Sequence, residues 1–159
     1  AFRTKFVAES KYVNGVDVIG VCASQKSEEP EFDGMFYTEN YDELLEKVDA
    51  VYIVSKPEKH YIDTKKALLA GKHVLCEKPA GVYTKQVREM NEAADRSQVV
   101  FAMMFNQRTN CIYRKMHEMV ENGELGVIRR VNWIITDWYR TQIPAVGGQP
   151  GKEKAEVCC

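Results

Sequence analysis

No stretch of this 159-residue sequence approaches the roughly 18 consecutive apolar residues of a membrane span, and the opening AFRTKFVAES lacks the apolar run of a secretion signal. A cytoplasmic chain without a membrane partner is therefore expected. An excess of charge is missing as well: 22 Lys and Arg stand against 23 Asp and Glu, so no net field draws the chain to nucleic acid. The five cysteines are odd in number and share no repeated spacing, which argues for reduced thiols rather than a disulfide framework. Among the three histidines no metal-binding spacing occurs, and His73 and Cys76, three apart on one strand, point to opposite faces, so zinc is not expected. Cys76 reads as a core residue, and Met103-Met104 as strand packing. An initiator methionine is also absent. The sequence starts at Ala1 in what reads as a helix already under way, with Phe2, Phe6 and Val7 on one side, so an upstream segment is expected.

What is present alternates. VDVIGVC (residues 16–22), AVYIVS (50–55), HVLC (73–76) and VVFAMMF (99–105) are short, nearly continuous apolar runs of the kind buried on both faces of a parallel sheet, with MFYT (35–38) as a shorter strand. Helical segments separate them. Asn40 is placed to cap one, with Glu43 completing a capping box. Pro57 suits the first turn of the next, whose face Tyr61, Thr64, Leu68 ends at Gly71. Thr84 is read as the cap of a helix carrying Val87, Met90 and Ala94. A further helix shows Ile112, Met116, Met119 and Val120 on one face and stops at Gly123. VIRRVNWIITDW (127–138) reads as a longer alternating strand through Ile128, Val131, Trp133 and Ile135. This order predicts an α/β protein with a doubly wound parallel sheet, which binds ligands at the carboxyl ends of its strands.

Three strand ends carry information. Glu77-Lys78-Pro79 follows HVLC directly, so both charges reach the rim where proline ends the ladder; a partly desolvated lysine there would serve as a general acid or base, while a solvated pair is the alternative. Ser55-Lys56-Pro57 ends another strand. At Ser24 the first strand ends without the Asp or Glu that normally holds the adenosine ribose of NAD, and Ser24 with Lys26 leans toward the 2′-phosphate of NADP.

The string VSKPEKHYIDTKKALLAGKHVLCEKP resembles the dinucleotide-binding half of the Gfo/Idh/MocA family of NAD(P)-dependent oxidoreductases, AGKHVLCEKP being its most specific part. The resemblance implies an incomplete Rossmann-like sheet over residues 1–105 and the start of an α+β substrate domain over 106–142. It implies that Ser55 and His60 lie along the nicotinamide side of an NAD or NADP cofactor, that Lys78 works at the reacting carbon, and that Glu77 fixes the neighbouring backbone. The Lys78-Pro79 bond is expected to be cis. Pro57 is assigned to the cofactor rim, although this chain has Lys56-Pro57 where relatives often carry Pro-Asn. FNQR (105–108) resembles the aromatic-Asn-x-Arg signature, in which Asn106 and Arg108 reach cofactor ribose and substrate; an Asn capping the next helix is an equal reading. The implied activity is hydride transfer between nicotinamide and a sugar, polyol or related small hydroxy compound, in a full-length protein that is a homo-oligomer.

Two expected elements of such an enzyme, a G-x-G-x-x-G turn and an Asp-x-x-x-His segment, do not occur here. The chain by itself is accordingly expected to be an inactive fragment; a non-catalytic nucleotide-sensing or assembly module and a functionless truncated product are the alternatives. The tail from Ile143 fits no periodicity, and reading its codons one frame over permits SGGWRATWKGEGGGVL, which looks like second-domain sequence of the family. Residues 143–159 are therefore expected to be frameshifted, or else a disordered terminus.

Overall fold

The computed structural model describes residues 2–26 and 28–134. Two compact units are present, Ala1–Phe105 and a second that begins at Asn106. The first is α/β: α1 (Phe2–Ser10), β1 (Gly20–Cys22), a 3-10 turn (Pro30–Phe32), β2 (Phe36–Thr38), α2 (Tyr41–Lys47), β3 (Ala50–Ile53), α3 (Pro57–Leu69), β4 (His73–Glu77), α4 (Thr84–Ser97) and β5 (Phe101–Met104). Every ladder is parallel, β1 on β2 and β3-β4-β5 in sequence order. In the doubly wound order 3-2-1-4-5-6 these correspond to 3-2 and 4-5-6.

The core lies on one face of β3 and β4. Val51 pairs with Val74 and Ile53 with Cys76, and the period of two sends all four to the side covered by α3 and α4, where they meet Ala67, Leu68, Met90 and Ala93. Between the helices, Tyr61 Oη and Lys65 Nζ both donate to Glu89, fastening α3 to α4. The opposite face is only half-buried. There the Tyr52 ring stacks on Phe6 of α1 at 4.3 Å between centroids, so the strands alternate in burial where the apolar runs predict burial on both sides.

Helix α3 starts and stops where its sequence directs. Pro57 occupies the first turn, where its missing N–H costs nothing, and Gly71 at φ +73° closes a Schellman turn in which Gly71 N donates to Leu68 O and Lys72 N to Ala67 O. That turn feeds β4 directly.

Several local expectations are corrected. The strand predicted over 16–22 is reduced to Gly20–Cys22, because its partner β2 offers only three residues, and Val16 and Ile19 are exposed. Asn40 does cap α2, through Asp42 N, yet Glu43 forms no capping box: Thr38 Oγ1 takes the Asn40 N–H and donates to Glu43 Oε2 at 2.7 Å. Thr84 is the first residue of α4 rather than its cap; Tyr83 precedes it, and Gln86 Oε1 accepts from Tyr83 N.

In the second unit a 3-10 turn (Asn106–Thr109) precedes α5 (Cys111–Glu121), and Tyr113 contacts the Trp133 ring. The cap of α5 is Asn110, whose Oδ1 accepts from Ile112 N at 2.9 Å; Asn106 lies in the 3-10 turn and caps nothing. Residues 127–134 form no strand, having no partner ladder among the described residues, and Val131 and Trp133 are exposed. Ile135, Trp138 and the expectation for 143–159 fall outside the described residues.

Candidate functional site

Parallel strands deliver their carboxyl ends to one rim, and β3 and β4 are adjacent, so the segments after Ile53 and Glu77 are neighbours by construction. Ser55 follows β3. Its Oγ donates to Asp63 Oδ2 at 2.8 Å, and Tyr41 Oη donates to the Asp63 carbonyl, so the strand end is fastened to α3 and α2 together. Pro57 opens α3; Lys56 before it is exposed and supplies no side-chain cap, its carbonyl accepting from Lys59 N at 2.8 Å.

The turn after β4 is held on both sides of Lys78. Glu77 Oε2 accepts from Lys78 N at 3.2 Å, while Glu77 Oε1 accepts from Tyr52 Oη at 2.6 Å across the ladder. Burial first, and then this bond to a carboxylate, push the Tyr52 phenol well above its ordinary pKa. Cys76 is fully buried, its Sγ donating to Glu77 O, as befits the last packed residue of the strand. The Lys78-Pro79 peptide is cis.

His60 joins the two strand ends. Its ring is 2% exposed, with Nε2 at 2.8 Å from Ser55 O and Nδ1 at 2.6 Å from Pro79 O. Both ring nitrogens are thereby engaged with protein backbone. Burial opposes a charge on the ring, but the Cys76 sulfur and the two carbonyls outweigh it and the imidazolium is held up to about 9.

Lys78 is the exception to all this fastening. Its side chain is exposed, where the sequence led us to expect partial burial, and among the described residues its ammonium has no hydrogen-bond or ion-pair partner. A cation is thus presented at the rim by a backbone fixed through Glu77, His60 and Tyr52.

Ser24 stands one residue beyond the last bond of the β1 end, where Ala23 N donates to Thr38 O and Tyr37 Oη donates to Ala23 O at 2.7 Å. Both Ser24 and Lys26 are exposed. Asn106 and Arg108 belong to the second unit, exposed on its opening 3-10 turn, where Thr109 Oγ1 closes on Asn106 O. Tyr52 and Asp63 are participants that sequence reasoning overlooked. Both left a trace: Tyr52 is the polar alternate between Val51 and Ile53, and Asp63 stands three residues after His60 on the same helical face.

Comparison with known proteins adds a lineage to this geometry. The model of the Gfo/Idh/MocA oxidoreductase family, NAD-binding Rossmann fold, matches residues 2–105. D-glucoside 3-dehydrogenase of Escherichia coli (strain K12) is 33% identical over 121 residues, 72% of this chain and 34% of that protein. The NADP(+)-dependent D-xylose 1-dehydrogenase of Hypocrea jecorina is 30% identical over 124 residues, 72% of this chain and 32% of that protein. Among solved structures, myo-inositol 2-dehydrogenase from Lactobacillus plantarum superposes with a TM-score of 0.68 at 28% identity, covering 79% of this chain and 39% of that one. The chain spans about a quarter to a third of the length of the curated relatives it matches.

Proposed function

Because the chain belongs to the Gfo/Idh/MocA oxidoreductase family, whose NAD-binding Rossmann domain its first unit represents, we propose that the whole protein moves a hydride between a nicotinamide cofactor and a hydroxyl-bearing carbon of a sugar, polyol or related small molecule. The observation that carries this reading is Lys78: an exposed ammonium, without a partner among the described residues, at the carboxyl end of a parallel strand, on a backbone held from both sides.

The rim suits such a cofactor. The start of α3 is exposed and has no side-chain cap, and the carboxyl ends of β3 and β4 are adjacent, which supports placing a polar group of the nucleotide at this rim. The cofactor, when bound, supplies the hydride acceptor or donor. Ser55, Pro57, Glu77 and Lys78 line its nicotinamide side, and His60 shapes it from beneath. As the free amine, Lys78 takes the hydroxyl proton while the alcohol is oxidised; as the resulting ammonium it polarises the carbonyl oxygen and returns that proton in the reverse direction. Asn106 and Arg108 of the second unit, where the substrate domain begins, reach ribose and substrate in this reading. The names of the D-glucoside, D-xylose and myo-inositol dehydrogenases support a polyhydroxylated substrate. By resemblance alone, the protein acts as a cytoplasmic homo-oligomer.

Between the two cofactors we favour NADP. No acidic residue stands at Ser24, and exposed Lys26 lies near enough in sequence to meet a 2′-phosphate. Titration with NADH and NADPH, followed by nicotinamide fluorescence, tests both statements. Binding of either is expected, with Lys26→Glu weakening NADPH roughly 10-fold relative to NADH. Binding of neither contradicts the cofactor assignment, and an unchanged ratio in the variant contradicts the NADP preference.

A further inference from the structure

The geometry points to His60 as a positioning residue of this site: a doubly protonated ring that braces the end of β3 to the turn carrying Lys78 by donating one N–H to each. Ser55 O and Pro79 O are carbonyl oxygens, which only accept, and they lie 2.8 and 2.6 Å from the two nitrogens of one buried ring. Neutral imidazole has a single N–H. In that form one nitrogen would turn its lone pair on a carbonyl oxygen at contact distance, in a site where 2% exposure leaves little room for water to intervene. Only the charged ring satisfies both partners, and bonds from a charged donor are about twice as strong as neutral ones, which offsets the cost of burying the charge.

The surroundings agree. From β4, Cys76 is the titratable group that acts on the ring, and it favours the charge. On the helix of His60 itself, Asp63 is engaged by the Ser55 hydroxyl, and Lys56 and Lys59 are exposed. On the turn, Glu77 is held by Tyr52 Oη and Lys78 N, and the Lys78 ammonium points to solvent. From α4, Glu89 is committed to Tyr61 and Lys65. From α2, Tyr41 is spent on the Asp63 carbonyl.

The position of the brace explains its purpose. Lys78 lies between two fixed points, its own N–H on Glu77 and the carbonyl of the next residue on His60. With both nitrogens occupied, His60 has no free site from which to exchange a proton with substrate, so it acts through Lys78. That last link rests on the function proposed above; the charged brace does not.

The test is a two-bond proton–nitrogen correlation spectrum of the 15N-histidine-labelled chain, followed from about pH 6 to about pH 10, with backbone amides recorded in parallel. The expected result is a His60 ring protonated on both nitrogens at neutral pH, titrating near 9, with the amides of Lys78 and Ala80 shifting at the same midpoint. In His60→Gln the amide shifts lose that midpoint. A His60 ring with one protonated nitrogen at neutral pH overturns the proposal, as do Lys78 and Ala80 amides that ignore the ring. The wild-type spectra alone decide the first point should the variant fail to fold. Failure of the chain to bind NADH or NADPH would count against the function proposed above and leave these spectra unchanged.

Discussion

Lys78 and His60 divide the work of the rim between an exposed side chain and a buried one, and their substitutions should separate accordingly. The Lys78 side chain is exposed, so Lys78→Met should leave the unfolding free energy within about 0.5 kcal/mol of wild type in a denaturant titration. His60 is linked to stability through its proton. The folded-state value of about 9 stands above the ordinary 6.5, so the charged ring contributes its stabilisation fully below about 6.5 and loses it as pH rises through about 9. Unfolding free energies from urea titrations across that window should fall by an amount on the order of 2–3 kcal/mol, and His60→Gln should flatten the decline. A flat wild-type profile would contradict the charged brace. The importance of a histidine at this place was legible in the sequence, through its position in the family-like string. Its manner of acting was not, because carbonyl acceptors from Ser55 and Pro79 converge on the ring only in three dimensions.

At the scale of elements, α3 and β4 form the frame on which the site depends. Leu68, fully buried between the sheet and α4, should cost about 2–5 kcal/mol when cut to Ala. Gly71→Ala, at φ +73°, should cost about 1 kcal/mol although no neighbour would touch the new methyl, since the penalty is conformational. Thr64 offers the opposite sign. Its hydroxyl is buried without a partner among the described residues, so Thr64→Val should be neutral or stabilising by about 1 kcal/mol in thermal melts. These elements were readable because proline, periodicity and glycine each mark a boundary by local physics. Where boundaries depend on a partner, reading failed: β1 is as long as β2 permits, and 127–134 alternates well but finds no ladder among the described residues. Caps failed for a related reason. Thr38 took the Asn40 N–H that the local pattern assigned to Glu43, and the first-turn N–H groups of Gln86 and Val87 that Thr84 was read to cap go to the Tyr83 carbonyl.

For the whole molecule, the parallel ladders and the family match fix the first unit as a nucleotide-binding fold, while several apolar side chains described in the second unit are exposed. Ile112, Met116 and Val120 lie along α5 and are exposed, as are Val127 and Ile134 beyond it. Exposed apolar side chains repeated every four residues along α5 should enhance the fluorescence of an added hydrophobic dye in the native chain, and no enhancement would argue that this face is covered. The Rossmann-type order was visible in the alternation of short apolar runs with helices, whereas the substrate class rests on relatives of which this chain spans about a third. Lys78 is where residue, element and molecule meet. Hydride transfer by the protein at its full coding length, assayed as formation of reduced nicotinamide on myo-inositol, D-xylose and glucosides, addresses it directly. Turnover on at least one of these is expected, falling by roughly 100-fold or more in Lys78→Met while NADPH affinity stays within about twofold. Equal rates for wild type and Lys78→Met, or no turnover with any polyhydroxylated substrate, would contradict the role assigned to this lysine.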